Sequence, residues 1–90
     1  MIRVEFLGVL RLKYGLASQD ISVQDRVTIR GLIELIAAGR GNELKADLLR
    51  QSYHILSPDG EERLHRLPGA LGAVVCDGSR VIVVTPLTGG

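Results

Sequence analysis

Cysteine, tryptophan and long apolar runs are what this sequence has least of, and each scarcity closes off a class of function. Its 90 residues hold one cysteine, Cys76. A single thiol cannot form an intramolecular disulfide, nor build a cysteine-based metal site alone. The aromatics are Phe6, Tyr14 and Tyr53, too few for the stacking platforms of a single-strand nucleic-acid binder. Eleven basic residues against ten acidic leave a net charge of +1. The basic residues, Arg3, Arg11, Lys13, Arg26, Arg30 and Arg40 among them, are scattered and form no phosphate-binding stripe. Nucleic acid is therefore not an expected partner. No apolar run nears the roughly 20 residues that span a bilayer, and Met1-Ile2-Arg3-Val4-Glu5-Phe6 lacks the apolar region of a signal peptide. The expectation is no membrane partner and a reduced, cytoplasmic setting.

What is present suits one small folded domain: 46% of residues are hydrophobic and 23% charged, an ordinary globular balance. Ile2, Val4 and Phe6 alternate with Arg3, Glu5 and Leu7, the period of a strand. Gly8 and Gly15 bracket Val9 to Tyr14, either an irregular loop or one helical turn. A second strand is expected over Ser18 to Val23, with Gln19, Ile21 and Val23 on one face, forming an antiparallel hairpin with the first. Thr28 reads as a helix N-cap, and Ile29, Leu32, Ile33 and Ile36 keep the spacing of one buried helical face through Ala38. Gly39 and Gly41 stop that helix. Glu43 to Arg50 reads as a shorter one with Leu44, Leu48 and Leu49 inward. Tyr53 to Leu56 reads as a strand, ended by the turn Ser57-Pro58-Asp59-Gly60. Arg63 to Leu67 is ambiguous. Val74-Val75-Cys76 and Val81-Ile82-Val83-Val84 flank Asp77-Gly78-Ser79, a tight-turn pattern between two apolar strands. The last strand has no polar face, so a central or doubly covered position is expected. The order gives an α+β domain, a mixed sheet with one main helix packed across it: residues 1–84 folded, residues 85–90 an extended tail.

Chemical information is concentrated in that tail, Thr85-Pro86-Leu87-Thr88-Gly89-Gly90. Pro86 cannot donate to a ladder, so the sheet is expected to stop there. Six extended residues reach about 20 Å, enough to enter a partner's active site. Gly89 and Gly90 remove the side chains nearest the terminal carboxylate and let it thread a narrow channel. At an average glycine usage of about 7%, two terminal glycines arise by chance in about one chain in 200, so the pair alone weighs against chance, with a frayed end as the alternative reading. Its place directly after an apolar strand and a proline strengthens it. A carboxylate with a pKa of about 3.3–3.7 is ionised at neutral pH and is a poor electrophile until activated. Attack on the α-phosphate of ATP would give an acyl-adenylate open to sulfur or amine nucleophiles. The sequence has no G-x-x-x-x-G-K-[ST] phosphate loop, so the activating enzyme is expected to be another protein.

With these features in place, the chain resembles the ubiquitin-like sulfur carriers, above all the small subunit of molybdopterin synthase (MoaD) and the thiamine-pathway carrier (ThiS). The resemblance rests on Ile2-Arg3-Val4-Glu5-Phe6-Leu7-Gly8, Arg11 and Gly15, on Thr28 opening the helix, and most of all on Asp77 through Gly90. It departs at Ser79, where the family has an acidic residue, and at Thr85-Pro86-Leu87-Thr88 in place of Pro-Pro-Val-Ala. What the resemblance implies is a β-grasp (ubiquitin-like) fold with a flexible Gly-Gly tail, and a carrier that is not itself an enzyme. An ATP-dependent adenylyltransferase would adenylate Gly90, a sulfur-relay enzyme would convert it to a thiocarboxylate, and a large synthase subunit or other acceptor enzyme would take the sulfur in cofactor biosynthesis. Molybdopterin or tungstopterin assembly fits the length best. No cofactor is expected to stay bound; AMP and sulfur would pass covalently through Gly90, with Gly89, Thr88, Leu87 and Pro86 contacting partners. Two other readings share the fold: a protein modifier conjugated through Gly90, and a non-covalent binding module with an inert tail.

The remaining reactive side chains have blander readings. Cys76, in an apolar strand, reads as a core residue. His54 and His65 read as solvated or strand-edge groups and not metal ligands; no metal site is expected. Asp59, Glu61 and Glu62 read as a solvated turn, and Asp77-Gly78 as turn chemistry. Leu87 either docks in a partner's groove or packs back on the sheet.

Overall fold

In the computed structural model, which describes residues 1–66 and 69–85, the N-terminal alternation becomes strand β1 (Ile2–Phe6), with Ile2, Val4 and Phe6 wholly buried. Strand β2 (Ser18–Ile21) returns antiparallel beside it, Ile2 opposite Ile21 and Glu5 opposite Ser18. It stops two residues short of Val23, which packs part-buried against the core. The connection between the strands is helical: α1 (Val9–Tyr14) buries Leu10 and is closed by Gly15 in the left-handed conformation.

A short strand β3 (Arg26–Thr28), not anticipated from the sequence, leads into the main helix α2 (Ile29–Ala37). Thr28 caps that helix, its hydroxyl accepting from the Gly31 N–H at 3.1 Å. Ile29, Leu32, Ile33 and Ile36 are buried in one cluster with the inward side chains of β1. Helix α3 (Asn42–Leu48) adds Leu44 and Leu48, whereas Leu49 is only part-buried. Strands β4 (Ser52–Leu56) and β5 (Glu62–His65) form a hairpin, which resolves the ambiguous stretch after Glu62 as strand. Its turn is closed by Gly60 N–H on the Ser57 carbonyl (2.9 Å) and by Glu61 N–H on the Asp59 carboxylate (3.0 Å). The Tyr53 hydroxyl, buried beneath this sheet, donates to the Leu48 carbonyl at 2.5 Å.

A 3-10 turn at Gly69–Gly72 leads to β6 (Val74–Cys76), and β7 (Arg80–Val84) is the last strand among the described residues. The reversal between them is present, with Ser79 N–H on the Cys76 carbonyl at 3.1 Å, but the two strands do not pair with each other. Strand β6 joins β3 in a two-stranded sheet, and β7 enters a five-stranded sheet of order β2-β1-β7-β4-β5. It runs parallel to β1 and antiparallel to β4, which makes the sheet mixed. Turn chemistry reports that the chain reverses; the choice of partner follows the side chains, and a strand apolar on both faces is best buried at a sheet's centre. The same alternation corrects the reading of Cys76. Val75 is the buried residue of β6, and Val74 and Cys76 face outward, so the thiol is exposed. Among the described residues no helix is long and apolar enough to cross a membrane.

The cap at Thr28 is a testable element of this architecture. Thr28→Ala removes one of the acceptors available to the first turn of α2 and is expected to lower unfolding free energy by about 1 kcal/mol, read as a lower urea midpoint with an unchanged slope.

Candidate functional site at the end of the central strand

The residues singled out for chemistry, Pro86, Leu87, Thr88, Gly89 and Gly90, lie outside the described residues, and so does the expected flexibility of that tail. What the structure describes is the place from which they depart. Val83 pairs with Phe6 on one side and Tyr53 on the other, and Val84 pairs with Ser52. The Leu7 N–H adds one more bond to the Val83 carbonyl, 3.1 Å. Thr85 follows the last ladder residue, flanked by the ends of β1 and β4.

Gly8 and Gln51 stand at these two flanks. A Cβ on Gly8 would lie 3.4 Å from the Thr85 hydroxyl oxygen, and its backbone has φ +76°. Glycine there provides both the turn into α1 and a close approach to Thr85. Gln51, the residue before β4, is buried; its Nε2 donates to the Asp47 carbonyl at 2.8 Å. Gln51 Oε1 and Thr85 Oγ1 are both buried without a hydrogen-bond partner. Unsatisfied groups of this kind are uncommon in native proteins, and among the described residues two of three lie at one end of the central strand, the third being Gln19 Oε1.

Asp47 also ties α3 to α1. Its carboxylate accepts from the Tyr14 hydroxyl at 2.6 Å and from Lys13 Nζ at 3.0 Å, and Lys13 reaches Glu43 at 2.8 Å. The Tyr14 bond, then the Lys13 bond, hold the Asp47 carboxyl below its ordinary range. Burial first, and the carboxylate second, push the Tyr14 phenol up. Lys13 is held above its ordinary value by Glu43 and Asp47. The end of the sheet is thus framed by two helices clamped to each other. Three large apolar side chains stay exposed on its α1 side: Leu7, Val9 and Leu12. Sequence reading missed Val9, Leu12 and Gln51. The first two carried a signal, apolar residues three apart between two glycines, which becomes legible once that stretch is known to be helical.

The other candidate residues are dispersed. His54, in β4, lies 3.8 Å from Glu62 across the hairpin, and His65 sits on β5 opposite Tyr53. Glu61 binds Arg63 at 2.5 Å, and Glu62 and Asp59 are exposed around the turn. Asp77 pairs with the amino group of Met1, which keeps its carboxyl below the ordinary range. Glu5 is likewise lowered by Arg80 on the neighbouring strand. An open groove of about 410 Å³ runs along Ile55, Ser57, Arg63, His65 and Val74, with Arg63 already engaged by Glu61. Among the described residues no group of three or more histidine, cysteine, aspartate or glutamate side chains is arranged to hold a metal ion. The described surface therefore offers the end of β7 as its best-framed candidate. Compared with protein-family models and with curated proteins, the chain matches none.

The clamp predicts a pH response. A carboxyl whose folded pKa is lowered contributes stability that is present above its unfolded pKa and is lost as pH falls through the folded value. In Tyr14→Phe, the Asp47 carboxyl is expected to titrate closer to its ordinary value, followed by carboxyl-carbon NMR. The variant's stability should therefore gain less than the parent's as pH rises from the acid side into the ordinary carboxylate range, with both profiles levelling off at the same pH, set by the unfolded chain.

Proposed function

We propose that this chain is a β-grasp sulfur carrier of the MoaD/ThiS type, and that its working group is the carboxylate of Gly90. The observation that carries the reading is the departure of Thr85-Pro86-Leu87-Thr88-Gly89-Gly90 from the end of the central strand β7. The five residues after Thr85 span up to about 17 Å when extended. A domain anchored by β7 can therefore stay outside a partner while its last residue reaches a buried catalytic centre. The mixed five-stranded sheet, its central parallel pair and the capped helix α2 are compatible with a β-grasp arrangement and support the same reading.

The chemistry follows from the group. An ionised carboxylate oxygen attacks the α-phosphorus of ATP in a partner's active site, forming the acyl-adenylate and releasing pyrophosphate. Hydrosulfide then attacks the Gly90 carbonyl carbon, AMP leaves with the acyl oxygen's electron pair, a proton is released, and a thiocarboxylate results. Its sulfur attacks an electrophilic carbon of an acceptor bound by a further enzyme, displacing a leaving group there, and water then cleaves the acyl–sulfur bond, so that the acceptor keeps the sulfur and the carboxylate returns. The chain contributes no catalytic side chain to these steps; its part is to present a terminus without β-carbons, which a narrow channel admits. An amine in place of sulfur at the second step would make the chain a protein modifier, so the product separates those two roles.

The test is ATP–pyrophosphate exchange with a purified adenylating enzyme of this carrier class. The full chain is expected to support exchange, whereas deletion of Gly90, or addition of one residue after it, is expected to abolish it without changing the thermal midpoint. Undiminished exchange with the extended chain would overturn the assignment of Gly90.

A further inference from the structure

Helix α1 carries apolar side chains on its outward face as well as its inward one. It buries Leu10 and half-buries Tyr14, yet its outward residues include Val9, 52% exposed, and Leu12, 87% exposed. Residues three apart on a helix are neighbours, so these two form one continuous apolar strip. Neither is needed by the core, which α1 already reaches through Leu10. Lys13 does not screen the strip either, because its ammonium is drawn to Glu43 and Asp47 on α3.

Position says what this strip faces. Gly8, immediately before α1, lies against Thr85, from which the last five residues depart. A partner that receives those residues can place their end at most about 17 Å from Thr85. The mouth of its channel must then come down on the surface around Thr85, and α1 is part of that surface. The helix is also held rigidly where it stands, by Tyr14 and Lys13 on Asp47. A rigid, exposed apolar strip costs little conformational entropy to bury, the property of a binding anchor.

Building on the carrier reading above, we infer that Val9 and Leu12 form a docking strip for the adenylating partner, contacting an apolar lip at the mouth of the channel that takes the tail. The strip acts on capture of the carrier and not on the chemical step, since neither apolar side chain carries a group that could take part in it. Its effect belongs in KM for the carrier, with kcat preserved, the pattern of binding that is uniform between ground and transition states.

The experiment is Gly90-dependent ATP–pyrophosphate exchange, measured against carrier concentration with one purified adenylating enzyme that accepts the parent chain. Four carriers are compared: the parent, Leu12→Asp, the double variant Val9→Ser with Leu12→Ser, and Leu35→Ser. Leu35 is a control of comparable exposure on α2, 45% exposed. All the substituted side chains are solvent-exposed, and circular dichroism with a thermal melt confirms that each variant is folded. The expected result is a KM at least about tenfold higher for Leu12→Asp and for the double variant, with kcat within about twofold of the parent and Leu35→Ser unchanged. An unchanged KM in both α1 variants overturns the docking strip while leaving the carrier reading intact. A lowered KM also overturns it, because it would mean that the strip holds the chain's own tail back. If the parent shows no exchange with an enzyme active on another carrier, the carrier reading fails first and this inference falls with it.

Discussion

Strand β7 is held between β1 and β4, parallel to one and antiparallel to the other, and the rest of the molecule is arranged around that placement. Val81 and Val83 are buried on its inner face. Each contributes about 1.5–3 kcal/mol relative to an exposed side chain, in a domain whose whole stability is of order 5–15 kcal/mol. Because β1 is the first and β7 the last strand among the described residues, their pairing joins segments far apart in sequence, Arg3 opposite Arg80. The five-stranded sheet is continuous only if β7 is in place, since it alone joins the pair β2-β1 to the pair β4-β5. On the proposed carrier reading this matters directly, because the strand from which residues 86–90 continue is also the centre of the fold.

Much of this was legible in the residues themselves. The alternation of Ile2, Val4 and Phe6, the Thr28 cap, the buried face of α2 and the Pro58–Gly60 turn are local signals, and each element formed where its signal lay. The central position of β7 was legible too, because a run with no polar face has to be covered. What local pattern could not supply was pairing. Strand β3 has only three residues, too short to show a period, and it exists through its ladder with β6. The Asp77–Ser79 reversal looked like a hairpin, but it moves the chain from one sheet to the other. Cys76 looked buried because its neighbours are apolar, and it is exposed because every second residue of a two-stranded ladder faces away from the core.

The candidate site divides the same way. The proposal for the tail comes from the sequence alone, because Gly89-Gly90 needs no tertiary context to be read as two residues without side chains. Its surroundings were not readable, because they come from three distant segments: Gly8 and α1, Gln51 just before β4, and Thr85. Two buried polar atoms without partners, Gln51 Oε1 and Thr85 Oγ1, and an outward apolar strip on α1 are departures from the rules that shape an ordinary surface. Such departures concentrate where a structure serves something besides its own stability.

The central claim, that Gly90 carries sulfur, is tested most directly by the intact mass of the full chain after incubation with ATP, an adenylating enzyme of this carrier class and a sulfide source. The account predicts a mass increase equal to the replacement of one oxygen by one sulfur, located on Gly90 and absent when ATP is withheld. An unchanged mass, with the same enzyme shown to convert another carrier, would contradict it.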